Sequence, residues 1–439
     1  MFSVILPYMD GSRKTEVEAK SGLSRAPFAE PFLVSLYRVL APYRGCGHAC
    51  SYCDGRAEKY YVEGDFERDI AVRANIVECL RVDLERGKAE AEYGAVCFGS
   101  GVTDVYQPIE AELGLTRSLL EALQTSGLPV VVLTKSSLVK RDFDLLSRFP
   151  QVLVILTVTT LDKKTAAWLE PGASTPEDRL ATVRAAREAG FLSGVMAMPF
   201  CPGLSDSPQQ IHELASAAKE AGAQFVYPGL LTLRPGRQKN LYMERLSAQR
   251  PDLIPLYDRL YAGNRPSGMP ISSVSTKGQR IASECVSGLG LAPLIPWAVY
   301  RNLLSASDSL FVFLCHLESL YASRSVNVGP LKMATVRYVD RLNTERTELR
   351  RAWARERRLE RRDGAKMASD NLLFDYAHER CEYQQLEPAF PVSRRLDEFV
   401  DKELEQILGN DKLGNLCRDL LIGRDDFDYA TLRPIHRES

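Results

Sequence analysis

Short β-branched apolar segments alternate with amphipathic helical segments from residue 36 to about residue 236. This alternation predicts repeated β/α units whose strands form a parallel sheet. Two of the units, 173–198 and 205–230, each begin with an N-cap residue followed by proline and contain a glycine stop before the strand. The strands that the pattern predicts are residues 36–40, 95–99, 130–134, 153–158, 192–198 and 225–230. Six such units predict an α/β fold with a partial (βα)6 barrel, similar to the TIM barrel.

The β/α pattern ends near Asn264, and the sequence beyond it is mostly helical and charged. We therefore predict an N-terminal extension at 1–35, a partial barrel at 36–265 and a mostly α-helical C-terminal region at 266–439. A chain of 439 residues with 45% hydrophobic composition is long enough to bury one large core and a smaller one. In barrels of this kind the loops after the strands carry the chemistry, so the functional residues are expected there.

The charge and the apolar segments of the chain limit its partners and its location. The formal net charge of −1 lacks the broad positive field of a protein that grips many phosphates, so a nucleic-acid contact must be local. The first residues do not resemble a signal peptide, because they have no positively charged segment ahead of an apolar one. The apolar stretch 310–315 is too short to span a bilayer. These features predict a cytoplasmic protein with no membrane partner.

Cys46, Cys50 and Cys53 form a C-x3-C-x2-C pattern in a short loop that follows the first predicted strand. Three thiolates ligate three irons of a [4Fe–4S] cluster and leave the fourth iron open. That open iron suits S-adenosylmethionine (SAM), which chelates through its amino and carboxylate groups. The other seven cysteines have no paired spacing and are interpreted mainly as buried thiols.

A zinc site is the competing interpretation of the same loop. Structural zinc normally has four ligands in paired spacings, and the fourth candidate here, His48, stands between two of the cysteines. A zinc-binding protein without catalysis therefore stays open as an alternative.

A SAM site needs small residues for close approach of the backbone and a few placed polar groups. Residues of these types at the ends of the second, third and fourth predicted strands, or just after them, are Gly99, Ser100, Gly101, Thr103, Lys135, Thr157 and Thr159. Lys135 is expected to meet the SAM carboxylate. The plainer interpretations are an ordinary turn, an exposed lysine and strand-forming threonines. Nearby, Glu170 and Arg179 are predicted to form a structural clamp.

The aromatic Tyr52 before the last cysteine completes the pattern C-x3-C-x-Φ-C, which resembles the signature of the radical SAM superfamily. The wider run 42–53 is more narrowly similar to the spore photoproduct lyase family. Further similar segments, which extend the resemblance over about 37–236, are 99–110, 133–136, 159–162, 169–171, 178–180 and 202–206.

This resemblance implies a barrel of the radical SAM type, a [4Fe–4S] cluster and SAM as cofactors, and the packing of Tyr52 against adenine. It implies an enzyme that reductively cleaves SAM to a 5′-deoxyadenosyl radical, which abstracts hydrogen from the substrate. The implied substrate is a DNA photoproduct or a modified nucleotide, and the implied partner is a reducing electron donor such as flavodoxin or ferredoxin. A radical SAM enzyme that acts on a small molecule or a peptide is the alternative.

Hydrogen return is the step at which the sequence departs from the lyase family. Aligned on the similar segments, the family's hydrogen-donating cysteine falls on Gly101, and Asp54 occupies the place of a tyrosine beside the third cluster cysteine. Cys97 lies four residues before Gly101 on the same face of the predicted strand and is the first catalytic candidate. Tyr106, near the expected substrate mouth, is the second, with packing as its plainer role.

Overall fold

A computed structural model of the chain describes residues 5–7, 13–60, 64–89, 93–99, 101–363 and 399–437. In these residues the strands are β1 Ile5–Pro7, β2 Arg13–Val17, β3 Leu23–Glu30, β4 Ser35–Val39, β5 Tyr43–Arg44, β6 Asp69–Arg73, β7 Val96–Phe98, β8 Val130–Thr134, β9 Val152–Thr157, β10 Leu192–Phe200, β11 Val226–Leu230, β12 Asp425–Asp428 and β13 Arg433–His436. The helices are α1 Ile76–Glu85, α2 Glu110–Leu113, α3 Leu115–Leu123, α4 Phe143–Leu146, α5 Lys163–Leu169, α6 Pro176–Glu188, α7 Pro208–Glu220, α8 Arg237–Gln249, α9 Ile254–Leu260, α10 Ser272–Gly288, α11 Trp297–Tyr300, α12 Ala306–Ser323, α13 Gly329–Asp363, α14 Leu404–Leu408 and α15 Asp411–Leu421. Short 3₁₀ segments occur at Asp54–Arg56, Glu58–Tyr60, Gln124–Ser126, Ser137–Asp142 and Pro251–Leu253, and a π-helical turn at Phe399–Glu403.

The main sheet has seven strands in the order β11-β10-β9-β8-β7-β4-β3. β4 and β7 to β11 pair in parallel, with Tyr37 opposite Val96 and Val130 opposite Val152, whereas β3 pairs antiparallel with β4 at one edge. These six parallel strands match the six predicted strands to within two residues at each end. The predicted α/β fold with a parallel sheet and a helical C-terminal region is therefore confirmed.

The two faces of the main sheet pack against different parts of the chain. Val130 and Val132 of β8 pack with α3, α6 and α7, whereas Val131 packs with Trp297 and other residues of the C-terminal region. Successive side chains of a strand point to opposite faces, so each strand contributes to both cores. All three valines are fully buried, and each such burial contributes about 1.5–3 kcal/mol.

Helices α6 and α7 begin where the sequence predicts helix starts. The Thr175 side chain accepts a hydrogen bond from Asp178 N, and the Ser207 side chain accepts one from Gln210 N, with proline at the start of each helix. Such caps stabilise a helix by about 1 kcal/mol. The caps thus fix the end of the segment that follows α5, which contains Glu170 and Gly172, and the end of the loop that follows β10.

The N-terminal residues form more structure than the predicted extension at 1–35 implies. β1, β2, β6 and β5 make a second sheet, and β3 joins the main one. A buried ion pair between Asp308 Oδ2 and Arg346 Nη2, 2.6 Å apart, joins α12 to α13, and both residues also bind the N-terminal segment. Ala29 N donates to Asp308, and Arg346 donates to Pro27 O. The N-terminal segment is therefore an integral part of the fold.

Helix α10 extends the outer layer past the predicted boundary at 265. Its Ala282 and Val286 are buried in the same core as α6 and α7, and it packs on β11. Residues of α11 to α15 instead cover the opposite face of the sheet. α10 therefore belongs by its packing to the β/α layer, although it lies beyond residue 265. The boundary at 265 stays a prediction. Among the helices of the described residues, none is both long and apolar enough to cross a membrane.

Candidate functional site

The carboxyl ends of the parallel strands open onto a cavity of about 230 Å³. Strands β8 to β11 and the loop after β5 all contribute to it. The lining residues are Phe32, Cys46, His48, Cys50, Tyr52, Cys53, Asp54, Gly101, Thr103, Asp104, Leu133, Thr134, Lys135, Thr157, Met196, Met198, Pro199, Leu230, Leu231 and Thr232. The cavity therefore lies at the edge of the sheet where a β/α fold is expected to carry its chemistry.

Cys46, Cys50 and Cys53 all line this cavity. Their thiols are free, with Cys46 and Cys50 buried and Cys53 half-buried. Burial raises the pKa of Cys50 to about 12, although the nearby Lys135 ammonium opposes the rise. Buried thiols of this kind ionise when a metal ligates them. Three free thiols on one loop fit a cluster that takes one thiolate at each of three irons.

The ring of His48 faces other partners than the cysteines. Its Nδ1 lies 2.9 Å from Gly172 O, and its Nε2 lies 3.2 Å from Asp104 Oδ2. Among the residues that the structure describes, no three Cys, His, Asp or Glu side chains are placed to hold one metal ion. Zinc needs its ligands around a single ion, whereas the thiolates of a [4Fe–4S] cluster bind separate irons. The loop therefore suits the cluster better than a closed zinc site.

Asp104 connects the cysteine loop to the end of β8. Its carboxylate accepts hydrogen bonds from Thr134 Oγ1 and Lys135 N, both at 2.8 Å, and from Tyr106 N at 2.9 Å. Burial alone would raise the pKa of Asp104, but His48 and the backbone donors lower it to about 2. An ionised Asp104 therefore holds the His48 ring and the end of β8 in fixed positions.

Thr103 and Gln107 support the cysteine loop from the segment after β7. Thr103 Oγ1 donates to Gly45 O at 2.8 Å, and Gln107 Nε2 donates to the same oxygen at 3.1 Å. Gln107 Oε1 accepts from Gly47 N at 2.8 Å. Thr103 lines the cavity, but its hydroxyl proton is directed to the loop, so its first role is to hold Gly45.

The segment after α5 supports the cysteine loop from the other side. Ser51 N donates to Leu169 O at 2.8 Å, and Gly172 N donates to His48 O at 3.0 Å. A Cβ added to Gly172 would lie 2.1 Å from Gly47 O. The close approach of these two backbones therefore requires glycine at position 172.

Lys135 lies at the end of β8, and its Nζ is 5.8 Å from the centre of the Tyr52 ring. Burial would lower the pKa of Lys135, but its electrostatic interactions with Cys50, Glu170 and Asp104 raise it. The ammonium therefore keeps its charge at neutral pH. Within the described part of the chain, this Nζ has no hydrogen bond or ion pair. A carboxylate ligand would satisfy it well.

Glu170 forms the clamp with Arg179 that the sequence predicts. Arg179 Nη2 donates to Glu170 Oε2 at 2.5 Å, and both side chains are 1% exposed. The other carboxylate oxygen accepts hydrogen bonds from the hydroxyls of Tyr52 and Thr159. Burial would raise the pKa of Glu170, but Arg179 and Lys135 lower it. The hydroxyls of Tyr52 and Thr159 are thus engaged by a buried carboxylate.

The predicted site residues fall into two groups. Those that line the cavity are Cys46, Cys50, Cys53, Tyr52, Gly101, Thr103, Lys135 and Thr157. Cys97, Gly99, Tyr106 and Thr159 do not line it, and Ser100 lies outside the described residues. A Cβ on Gly99 would lie 2.9 Å from Leu133 Cβ, so this glycine serves the packing of β7 against β8.

Packing explains why the two catalytic candidates lie away from the cavity. The face of β7 that carries Cys97 is covered by residues of the C-terminal region, and burial raises the pKa of this thiol to about 12. Tyr106 is fully buried in the core of the outer helical layer instead. Neither side chain lines the cavity, so neither is assigned a catalytic role here.

Asp54 is a polar residue of the cavity that the sequence did not single out as a site residue. It accepts hydrogen bonds from Thr232 Oγ1 and from Arg234 Nε, both at 3.1 Å. Gln238 Nε2 donates to Asp54 Oδ1 at 3.1 Å and to Tyr52 O at 2.7 Å. The signal that could have found its partners Thr232, Arg234 and Gln238 is their position after the sixth predicted strand, where a β/α fold places functional loops.

Apolar side chains form another part of the cavity wall, and the sequence did not identify them. They are Phe32, Leu133, Met196, Met198, Pro199, Leu230 and Leu231. No local pattern distinguishes such residues from core residues, because both are apolar and follow the same strand alternation. These side chains give the cavity an apolar wall beside its polar groups.

The parallel sheet, the cavity at its carboxyl edge and the loop with three free thiols define the class: an iron–sulfur protein built to bind SAM. The model of the Radical SAM superfamily matches residues 40–215. An uncharacterized protein of Mycobacterium tuberculosis is 35% identical over 266 residues, which are 59% of this chain and 76% of that protein. The chain belongs to the radical SAM superfamily. Its cofactors are accordingly a [4Fe–4S] cluster and SAM.

More distant relatives are also similar to this chain. An uncharacterized protein of Methanocaldococcus jannaschii is 27% identical over 249 residues, 56% of this chain and 90% of that protein. The radical SAM Nα-GlyT isomerase of Pseudomonas phage M6 is 26% identical over 193 residues, 43% of this chain and 37% of that protein.

Among solved structures, a spore photoproduct lyase variant with bound AdoMet and dinucleoside spore photoproduct is 19% identical, with a TM-score of 0.38. The match covers 49% of this chain and 62% of the lyase chain, so it spans less than two thirds of that protein.

Proposed function

We propose that this protein is an enzyme that reductively cleaves SAM and abstracts hydrogen from a DNA photoproduct or a modified nucleotide. The observation that carries the proposal is the cavity that three free thiols of one loop share with the charged Lys135. We further propose that a reducing electron donor such as flavodoxin or ferredoxin supplies the electron.

The residues of the cavity have separate tasks in this proposal. Cys46, Cys50 and Cys53 would hold three irons, and Lys135 would bind and orient the SAM carboxylate. Thr157, at the end of β9, offers a hydroxyl on the same wall. Once bound, the cluster and SAM supply the electron transfer and the hydrogen-abstracting chemistry.

The apolar wall would exclude water from the reacting carbon of the substrate. Met196 and Met198 lie on β10, and Phe32 lies in the turn between β3 and β4. A dry wall prevents side reactions of a reactive intermediate and strengthens the interaction of Lys135 with an anion. Methionine also adapts to irregular ligand shapes because its side chain is unbranched.

The substrate class is supported by the run 42–53, which resembles the lyase family. Hydrogen return should differ from that of the lyases. A Cβ added to Gly101 would meet no atom of the described residues within 4 Å, apart from its chain neighbours, so they leave room for a side chain at this position. Among the described residues that line the cavity, the only thiols are the cluster ligands. We therefore propose that no other cavity thiol donates the returning hydrogen.

Mass spectrometry of the products tests this function. The reconstituted enzyme is incubated anaerobically with SAM, reductant and ultraviolet-treated oligonucleotides, and we expect 5′-deoxyadenosine together with an oligonucleotide of altered mass or connectivity. The Cys50→Ala variant should form neither product, because a cluster with two thiolates is not held correctly.

Two results would count against the proposal. If Cys50→Ala forms 5′-deoxyadenosine as fast as the parent, the cluster assignment is wrong. If the parent forms 5′-deoxyadenosine but leaves every oligonucleotide unchanged, and alters a small molecule or a peptide instead, the nucleotide part is wrong and the cluster part stands.

A further inference from the structure

Two arginines outside the cavity bind adjacent carbonyl groups of the cysteine loop. Arg56 Nε donates to Cys50 O at 2.9 Å, and Arg245 Nη1 donates to Ala49 O at 2.8 Å. Both guanidinium groups also form ion pairs with the same oxygen, Glu67 Oε1. We call Arg56, Glu67 and Arg245 the Glu67 triad. It joins the cysteine loop to helix α8, which carries Arg245.

The backbone of Ala49 explains why this loop needs support. Ala49 has a φ of 55°, in the left-handed region that residues other than glycine adopt at a cost. Its carbonyl is the one that Arg245 binds, and the next residue is the cluster ligand Cys50. Since a strained conformation persists only where its surroundings hold it, the hydrogen bond from Arg245 helps to place Cys50.

The charge of the Glu67 triad is only partly screened by water. The Arg56, Glu67 and Arg245 side chains are 7%, 20% and 26% exposed. Two cations and one anion leave a net positive charge beside the loop. This net positive charge lies beside the backbone of Ala49 and Cys50, because Arg56 and Arg245 donate to their carbonyl oxygens. The triad therefore favours negative charge on the cluster that the loop would hold.

We propose that Arg245 is a positioning residue for the cysteine loop and that the Glu67 triad sets the reduction potential of the [4Fe–4S] cluster. A nearby positive charge stabilises the reduced cluster, which carries one more electron, and a nearby negative charge destabilises it. The proposal rests on the cluster and not on the substrate.

The test is a redox titration of the reconstituted full chain, followed by the electron paramagnetic resonance of the reduced cluster, without SAM or substrate. Arg245→Gln removes a positive charge, so its potential should become more negative. Glu67→Gln removes the negative charge between the arginines, so its potential should become more positive. Arg250→Gln is the matched control, because Arg250 pairs with Asp252 and is 42% exposed. Its reduction potential should match that of the parent.

For each triad variant we expect the ratio of reduced to oxidised cluster at a fixed potential to change about tenfold. This change corresponds to a shift of about 59 mV in the reduction potential for one electron. A merely structural loosening of the loop would move Arg245→Gln and Glu67→Gln in the same direction, and that result would overturn the proposal. So would an Arg245→Gln potential equal to that of Arg250→Gln.

Two further measurements complete the test: the reduction potential of Arg245→Lys and the iron content of the parent chain. Arg245→Lys keeps the charge and should retain a potential close to that of the parent. Should Arg245→Gln fail to fold, Glu67→Gln decides: a positive shift supports the proposal, and no shift or a negative one overturns it. A parent chain that takes up no iron would count against the cluster itself, independently of the substrate proposal.

Discussion

Replacement of Arg179 by leucine removes the partner of a carboxylate that the fold buries. In the parent, Arg179 donates to Glu170 Oε2 at 2.5 Å, to Thr157 O at 2.9 Å and to Ser174 O at 2.7 Å. Loss of one partner of a buried ion pair leaves an uncompensated charge in surroundings of low dielectric constant. We expect the free energy of unfolding at pH 7 to fall by about 3–5 kcal/mol.

The pH dependence of this loss has a definite sign. In the parent the folded-state pKa of Glu170 is lowered, so its stabilising contribution is present above about pH 4.3 and is lost as the pH falls below that value. Without Arg179, burial dominates and should raise the folded-state pKa above the unfolded one. The variant then loses stability as the pH rises through that pKa. The difference between parent and variant should therefore shrink as the pH falls from 7 toward 4.

Urea unfolding of the metal-free chain, followed by far-ultraviolet circular dichroism, measures both effects. Arg184→Leu is the control, because Arg184 is exposed on the same helix, and it should change stability by less than about 0.5 kcal/mol. The double variant Glu170→Leu/Arg179→Leu should recover part of the loss, since it leaves no buried charge. An Arg179→Leu loss no larger than that of Arg184→Leu, or one that grows toward acidic pH, would refute this reasoning.

Three further changes test other parts of the site and fold. Lys135→Ala should weaken SAM binding at least tenfold in calorimetry, since a charge-assisted hydrogen bond contributes about 1.5–3 kcal/mol. The exposed Lys140→Ala should not, and equal affinities would remove Lys135 from the site. Gly172→Ala places a Cβ 2.1 Å from Gly47 O, so reconstituted iron per chain should fall and stability should drop by about 1–3 kcal/mol. Full iron and parental stability would contradict that. Ser207→Ala should cost about 1 kcal/mol in urea unfolding and leave the iron content unchanged, because it removes only a helix cap.

The parallel strands could be predicted because they depend on local periodicity, and all six match the structure. The N-terminal strands could not. β2 pairs with β6, with Arg13 opposite Asp69, two residues that are 56 positions apart. β2 has an exposed and half-buried pattern that lacks the apolar alternation of a core strand. A strand of this kind is defined by its partner rather than by its own residues.

The cysteines and Lys135 could be predicted as site residues because the cysteines lie in a loop after a strand and Lys135 directly follows one, and a β/α fold gathers such positions at one edge. The hydrogen-bond partners of the threonine hydroxyls could not be predicted. Thr103 and Thr159 were expected to contact SAM, but their hydroxyls donate to Gly45 O and Glu170. Strand alternation gives the face on which a side chain lies and not the atom that its hydroxyl meets. Arg245 was missed because its contact with Ala49 spans 196 residues.

The supports of the cysteine loop have a common electrostatic consequence. The loop has few hydrogen bonds of its own, so donors from elsewhere bind its carbonyl oxygens. The acceptors are the oxygens of Gly45, Ala49, Cys50 and Tyr52, bound by Gln107, Arg245, Arg56 and Gln238 respectively. Two of these donors, Arg56 and Arg245, are cations. An iron–sulfur cluster with its thiolates is anionic, so their positive charge beside the loop favours the cluster. The side chains around the loop thus favour the cluster by charge as well as by shape.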